Sequence, residues 1–459
     1  MAYTTIDKSG EHFNTVLYTG NNGAQTVTGV GFRPDWVWIK DRDGTERHCL
    51  TDSVRGVLKE LRSNETAAES DRSSYGGVSA FNSDGFVLVH DDGYNDNGSL
   101  QVSWNWKAAG ATPTQTYSVK VVSDGGNKYR FDNFGTSAVT IDLQEGGTYT
   151  FDQSDSSNSG HPLRFSTTSN GTHGGGSAYT TGVTVTGTPG NSGAKTVITV
   201  ASSAPTLYYY CTVHSGMGGQ ANTNTTFGSS NFSGSIQSKV SANTTAGFSI
   251  VSWTGTGSNA TIGHGLGSVP KMIMIKDRSN TRNWQVYHVG YGNGGSGQLN
   301  LTNAFSGDGM FQSTDPTSTV FSVGTSVNAN ASGANIISYC FADVKGYSKF
   351  GKYTGNGNAD GTFVYTGFKP AMVIVKLSSG VNSWNIHDNK RDTFNVVDRK
   401  LEPNVSDAES DDSPKDYLSN GFKCRGTGGN LNASGSTYIY MAFAESPFVT
   451  STGIPTTAR

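Results

Sequence analysis

An all-β fold built from tandem β-sandwiches is what this 459-residue chain predicts, and three observations carry it. Glycine stands at about twice its usual share while aromatic residues hold at 11%, so the chain is rich in turns yet able to fill cores. Short apolar runs bounded by Gly, Pro, Asn and Asp recur throughout, which is the pattern of strands. Long amphipathic helices are nearly absent: Leu50 to Ser63, with Val54, Leu58 and Leu61 at helical spacing, is the one segment expected to form a short helix.

The strand runs are not independent of one another. Gly31-Phe-Arg-Pro-Asp-Trp-Val-Trp-Ile-Lys40, Leu266-Gly-Ser-Val-Pro-Lys-Met-Ile-Met-Ile-Lys276 and Gly367-Phe-Lys-Pro-Ala-Met-Val-Ile-Val-Lys376 each place a proline before large apolar side chains closed by a lysine. Tyr18-Thr-Gly20, Trp253-Thr-Gly255 and Tyr353-Thr-Gly355 stand upstream at matching distances. Downstream, His48, Trp284 and Trp384 each fall fourteen residues after their proline, and the units close on Ser103-Trp-Asn-Trp106, Ser338-Tyr-Cys-Phe341 and Tyr438-Ile-Tyr-Met-Ala-Phe443. Three divergent repeats of about 100 residues follow, a size at which a unit buries its own core. The expected domains are 1–110, 223–346 and 347–459 for the repeats, with 111–222 as a different β-sandwich between the first two.

Charge and cysteine usage narrow the functional classes. A net charge of -3 with 33 Lys plus Arg leaves no basic stripe for a phosphate backbone, so nucleic acid is not an expected partner. No apolar run is long enough to span a bilayer and the start Met1-Ala-Tyr-Thr-Thr lacks a secretory pattern, so a product that stays soluble where it is made is expected. Cys49, Cys211, Cys340 and Cys424 show no paired spacing, which argues against a disulfide framework. No Gly-x-Ser-x-Gly elbow, phosphate loop, His-Glu-x-x-His or paired zinc spacing occurs, and an enzyme is not expected. Asp52-Ser-Val-Arg-Gly56 and Asp388-Asn-Lys-Arg-Asp392 read as structural Asp/Arg pairs, His264 as a turn residue, His288 and His387 as one shared structural position, and the acidic run Ser406 to Ser413 as a solvated loop.

One stretch carries chemistry. Tyr208-Tyr-Tyr-Cys-Thr-Val-His-Ser-Gly-Met217 supplies a thiol, an imidazole and a thioether at a strand end, and His161 adds a second imidazole beside another strand of the same sandwich. One thiolate and two imidazoles near a plane, with a weak thioether above it, is a set suited to copper. The segment resembles the cupredoxins, the blue-copper fold, through its Cys-x-x-His-x-x-Met spacing. That resemblance implies His161, Cys211, His214 and Met217 as metal ligands and copper as the cofactor.

The phrases Gly29-Val-Gly-Phe-Arg-Pro-Asp-Trp-Val-Trp-Ile-Lys40, Asp52-Ser-Val-Arg-Gly56, Ala80-Phe-Asn-Ser-Asp-Gly-Phe86 and Ala260-Thr-Ile-Gly-His-Gly-Leu-Gly267 resemble those of large glycine-rich structural proteins, tail-fibre-like, from tailed bacteriophages of marine bacteria. The resemblance implies a virion structural protein, a tail fibre, tail-tip or capsid-bound appendage, made in the host cytoplasm and active in assembly or host attachment. Its expected partners are other virion proteins, further copies of this chain, and a host surface glycan or receptor. A copper protein with an electron-transfer or metal-binding role and a carbohydrate-binding module are the alternative expectations. In the latter, Trp38, Trp104, Trp284 and Trp384 would stack on sugars if exposed, although core packing is the expected role for most of them.

Overall fold

The computed structural model describes residues 4–109 and 112–446, and their regular elements are almost all strands. The chain divides into two compact units, one formed by Met1–Gly110, Ala242–Ala260 and Gly265–Arg459, the other by Ala111–Ser241 and Thr261–His264.

In the first unit the repeats share one strand order. The first repeat runs Phe13–Thr19, Leu100–Trp106, Trp36–Asp41, Cys49–Asp52 across its main sheet. The second orders Phe248–Thr254, Asn335–Phe341, Met272–Asp277, Gln285–His288 in the same way, and the third Ser348–Thr354, Thr437–Ser446, Lys369–Leu377, Trp384–Asp388. Register confirms the equivalence: Trp36 pairs with Trp106, Met272 with Phe341 and Met372 with Phe443.

Both faces of each proline-led strand are buried, and each face has its own partner. Val37 and Ile39 join Val27, Phe86 and Leu88 of an outer sheet, closing a sandwich within the first repeat. In the third repeat Val373 and Val375 do the same with Val364 and Phe422. The opposite face of every main sheet enters one common core, where Trp36, Trp38, Trp104 and Trp106 meet Phe248, Met272, Tyr339, Trp384, Met441 and Phe443. Trp36 stacks on Tyr339 at 4.3 Å and Phe13 on Phe443 at 4.9 Å. Thus a repeat completes a sandwich alone and still leaves an apolar face that only the other two repeats cover. The tryptophans considered for sugar stacking are all at most 1% exposed and serve this packing.

The recurring motifs have specific tasks. Gly20, Gly255 and Gly355 pass so close to the chain that a Cβ would meet the carbonyls of Asp96, Ala331 and Ala433 at 2.0, 2.2 and 2.3 Å. In each repeat a buried asparagine clamps that turn: Asn95, Asn330 and Asn432 accept from the backbone N–H of Asn21, Thr256 and Asn356 at 2.9, 3.0 and 3.0 Å. Their amides donate onward to the carbonyls of Gly23, Ser258 and Asn358. The closing lysines are buried and donate to carbonyls, Lys276 to Thr66 and Lys376 to Thr302, each in the preceding repeat. Burial pushes both ammonium groups down to about 8.

Two expectations are corrected here. Leu50 to Ser63 is not a helix but the strands Cys49–Asp52 and Gly56–Arg62 with a turn between them. Asp52 Oδ1 accepts from the N–H groups of Val54 and Arg55, and Gly56 takes φ 97°, so the side chain and the glycine reverse the chain where apolar spacing alone suggested a helix. Nor do His288 and His387 share a position. Met272 pairs with His288 whereas Met372 pairs with Asp388, so Asp388 is the counterpart of His288.

The second unit is a two-sheet sandwich of its own. One sheet orders Asn127–Phe131, Thr114–Ser123, Thr148–Asp152, Lys195–Thr199, Val183–Thr186; the other Ile141–Gln144, Gly219–Asn224, Leu207–Cys211, Leu163–Ser166. Tyr117, Phe131, Phe151, Phe165 and Tyr209 fill the space between them.

Candidate metal centre

Antiparallel pairing assembles the candidate ligands of the second unit. Leu163 lies opposite Cys211, so His161, two residues earlier, arrives beside the end of the cysteine strand. Thr212 N–H donates to Pro162 O at 3.1 Å and extends the pairing past the last ladder residue. The His161 carbonyl accepts from Tyr129 Oη and Gln153 Nε2, each at 2.8 Å, while its own N–H donates to Asn158 O. This ring therefore hangs from a backbone fixed on both sides.

After Cys211 the chain turns through residues 212–216. Asn170 pins that turn, donating to Ser215 Oγ and accepting from Gly216 N–H, each at 2.8 Å, and Lys128 Nζ donates to Gly216 O. His214 thereby returns over the thiol. Its N–H donates to Cys211 Sγ at 3.4 Å and its Nδ1 lies 3.8 Å from the same sulfur; His161 Nδ1 lies 3.9 Å away. The two imidazoles stand 4.6 Å apart between ring centres, and the three ligand atoms all lie within 4.8 Å of one another. Cys211 is buried, His161 half-buried and His214 exposed, so the site opens to solvent on the His214 side.

These separations fit a metal ion. With bonds of about 2.3 Å to sulfur and about 2.0 Å to nitrogen, an ion centred in a trigonal plane needs sulfur and nitrogen about 3.7 Å apart, while a tetrahedral site needs about 3.5 Å. The observed separations of 3.9 and 3.8 Å lie within a few tenths of an ångström of both values. Burial and the neighbouring His214 both push the His161 pKa down, which keeps its lone pair available at neutral pH. Met217 is 1% exposed and belongs to the apolar cluster that also holds Cys211; its carbonyl accepts from Tyr129 N–H at 3.0 Å. The close cluster itself comprises the thiol and the two imidazoles.

One neighbour was not legible in the sequence. His173 sits in the short turn Gly171–Gly174, and its Nε2 lies 3.1 Å from Cys211 O. Gly171 makes that approach feasible, because a Cβ there would strike the Tyr210 ring at 2.5 Å. Nothing in the spacing of Gly-Thr-His-Gly announces this contact.

The other candidate residues of the sequence serve structure. Asp52 and Arg55 form a fully buried ion pair, as do Asp388 and Arg391. Each pair is extended by a carboxylate and an arginine: Arg55 to Glu69 to Arg278 across the first and second repeats, and Arg391 to Glu409 to Arg42 across the third and first. The acidic run is therefore not a solvated loop throughout, since Glu409 sits in this network and Asp412 pairs with Lys400 at 2.8 Å. His288 Nε2 lies 3.0 Å from Tyr440 O and His387 Nε2 3.1 Å from Asp412 O. His264 is buried, and all four cysteines are free.

The chain matches one protein family, described as a domain of unknown function (DUF7483), over residues 8–125 and 221–447. The match spans the three repeats and leaves out 126–220, the stretch that carries the candidate ligands. No curated protein and no solved structure matches the chain.

Proposed function

The chain belongs to that family of unknown function, and we propose on this premise that it is a structural scaffold carrying an inserted module that binds one copper ion. The observation that carries the reading is the cluster of His161, Cys211 and His214, which holds two imidazoles and a thiol at metal-binding separations. Copper bound there would add a one-electron redox change; this chain's own residues hold the ligands in place and leave one edge, at His214, open to solvent. Copper(II) added to the purified protein is expected to give an intense visible thiolate band at one equivalent, absent in Cys211→Ala. A protein that takes up no copper, or binds it with no such band, would refute the module's assignment.

The scaffold is proposed as a component of a tailed-bacteriophage particle, in a tail fibre, tail tip or capsid-bound appendage, contacting other virion proteins and further copies of itself. Its support is the motif resemblance together with a core in which buried acids and bases are spent on joining the repeats. Mass spectrometry of purified particles tests it, and absence of the chain from them would reject it. An electron-transfer role is a second reading, favoured by exposed His214 next to Val213, which is 57% exposed. A reversible one-electron wave in voltammetry of the copper-loaded protein would support that role; a metal that cannot be cycled would remove it.

A further inference from the structure

The third repeat bears aromatic rings that its fold does not need. Phe363 and Tyr365 are 43% and 61% exposed and Phe394 is 84% exposed, so three of the five exposed aromatic side chains among the described residues belong to this one repeat. Phe363 and Tyr365 flank buried Val364 on the strand Phe363–Tyr365, and alternation puts both rings on the outer face of the outer sheet. The first repeat supplies an internal comparison. There Val27 pairs with Phe86 as Val364 pairs with Phe422, and the flanking positions are Thr26 and Thr28. The same sandwich closes with threonines, so the rings are not a requirement of packing.

Each end of this surface has a cavity. One of about 380 Å³ is lined by Tyr365 with Asp343, Ser348 and Lys349; the other, about 200 Å³, by Phe394 with Lys369, Asn389 and Asp392. The segment between them is short, because Gly367 lines the first and Lys369 the second. Charge within the cavities is largely balanced, since Lys349 pairs with Asp343 at 2.8 Å and Lys369 with Glu445 at 2.7 Å.

Exposed ring faces beside pockets of amide, hydroxyl and paired charge match one ligand chemistry. A pyranose presents an apolar C–H face to an aromatic ring and hydroxyls around its edge to such polar groups. We propose that the third repeat binds an uncharged oligosaccharide, with Tyr365 and Phe394 as the two ring platforms. A peptide with an apolar face would use the rings but gain nothing from balanced ion pairs, and an acidic polymer would need the lysines free. This proposal does not depend on the copper module.

The test is a printed array of defined neutral and acidic oligosaccharides probed with the full chain, followed by saturation-transfer NMR on the strongest hits. Binding to neutral pyranose oligomers that changes little with salt is expected. Tyr365→Ala and Phe394→Ala should each weaken it about 2- to 12-fold, whereas Thr28→Ala, at the place in the first repeat equivalent to Tyr365, should leave it unchanged. These side chains are exposed, so the variants are expected to fold as the parent does. No binding to any saccharide, binding only to acidic ones, or binding indifferent to both ring variants would overturn the proposal.

Discussion

Tyr339 Oη, in the second repeat, donates to Asp52 Oδ2 of the first at 2.8 Å, with both groups buried at the seam between them. The third and first repeats repeat the device with a different donor, Trp104 Nε1 reaching Asp388 Oδ2 at 3.1 Å. Asp52 also pairs with Arg55, so removing its carboxylate takes from the buried guanidinium the nearer of its two carboxylate partners, Asp52 and Glu69. Asp52→Ala is expected to lower unfolding free energy by about 3–5 kcal/mol. Tyr339→Phe, which keeps the ring and loses one hydrogen bond to a charge, should cost about 1.5–3 kcal/mol. Urea denaturation read by tryptophan fluorescence measures both. A loss of under about 1 kcal/mol for Asp52→Ala would show that the seam does not hold the repeats together.

The buried asparagines that clamp the Tyr/Trp-Thr-Gly turns make a second prediction. Asn432 satisfies the N–H of Asn356 and the carbonyl of Asn358, and its replacement by alanine leaves both without their partner. Asn432→Ala should cost about 2–4 kcal/mol, two unsatisfied groups at about 1–2 each. Hydrogen exchange is expected to accelerate first at the 354–362 turn. A variant as stable as the parent would mean that water replaces the clamp.

Acid should loosen the joined repeats through His288. Burial pushes its folded pKa down to about 4, whereas an unfolded imidazole titrates near its ordinary value of about 6.5. The unfolded chain therefore takes up the proton first, and the stability that neutral His288 contributes is complete above about pH 6.5 and lost as pH falls towards 4. The displacement corresponds to about 3 kcal/mol. His48 and His387, whose pKa values burial also pushes well down, act in the same direction. Denaturant midpoints between pH 7 and 4.5 should fall, and fall less steeply in His288→Gln. Equal slopes would remove His288 from the account.

The second unit should fold without the first. Every residue of its core lies between Tyr117 and Phe232, so a fragment spanning 111–241 retains that core whole. Cooperative thermal unfolding of the fragment is expected. Copper at 100 times its dissociation constant should raise the unfolding free energy by about 2.7 kcal/mol. A fragment that melts without a transition would show that the sandwich needs the rest of the chain.

Strand content, the threefold repetition and the grouping of three of the four proposed ligands were legible from residue order, because a proline, a lysine and a thiol-imidazole spacing are local signals. The shared core was not announced. Runs such as Met372-Val-Ile-Val375 show that both faces of a strand are buried, but they do not say that Val373 faces an outer layer while Ile374 faces two other repeats. The turn at Asp52 was missed because Val54, Leu58 and Leu61 mimic a helical stripe, and the deciding bond runs from backbone to side chain. Long-range seams such as Arg42 with Glu409 join residues 367 apart, and no local pattern encodes such a partner.

X-ray absorption at the copper edge, on the intact chain loaded with one equivalent, tests the proposed site most directly. One sulfur and two imidazole nitrogens in the first shell, with the sulfur lost in Cys211→Ala and one nitrogen lost in His214→Ala, is the expected result. Copper surrounded only by oxygen and nitrogen, or a sulfur that survives Cys211→Ala, would contradict it.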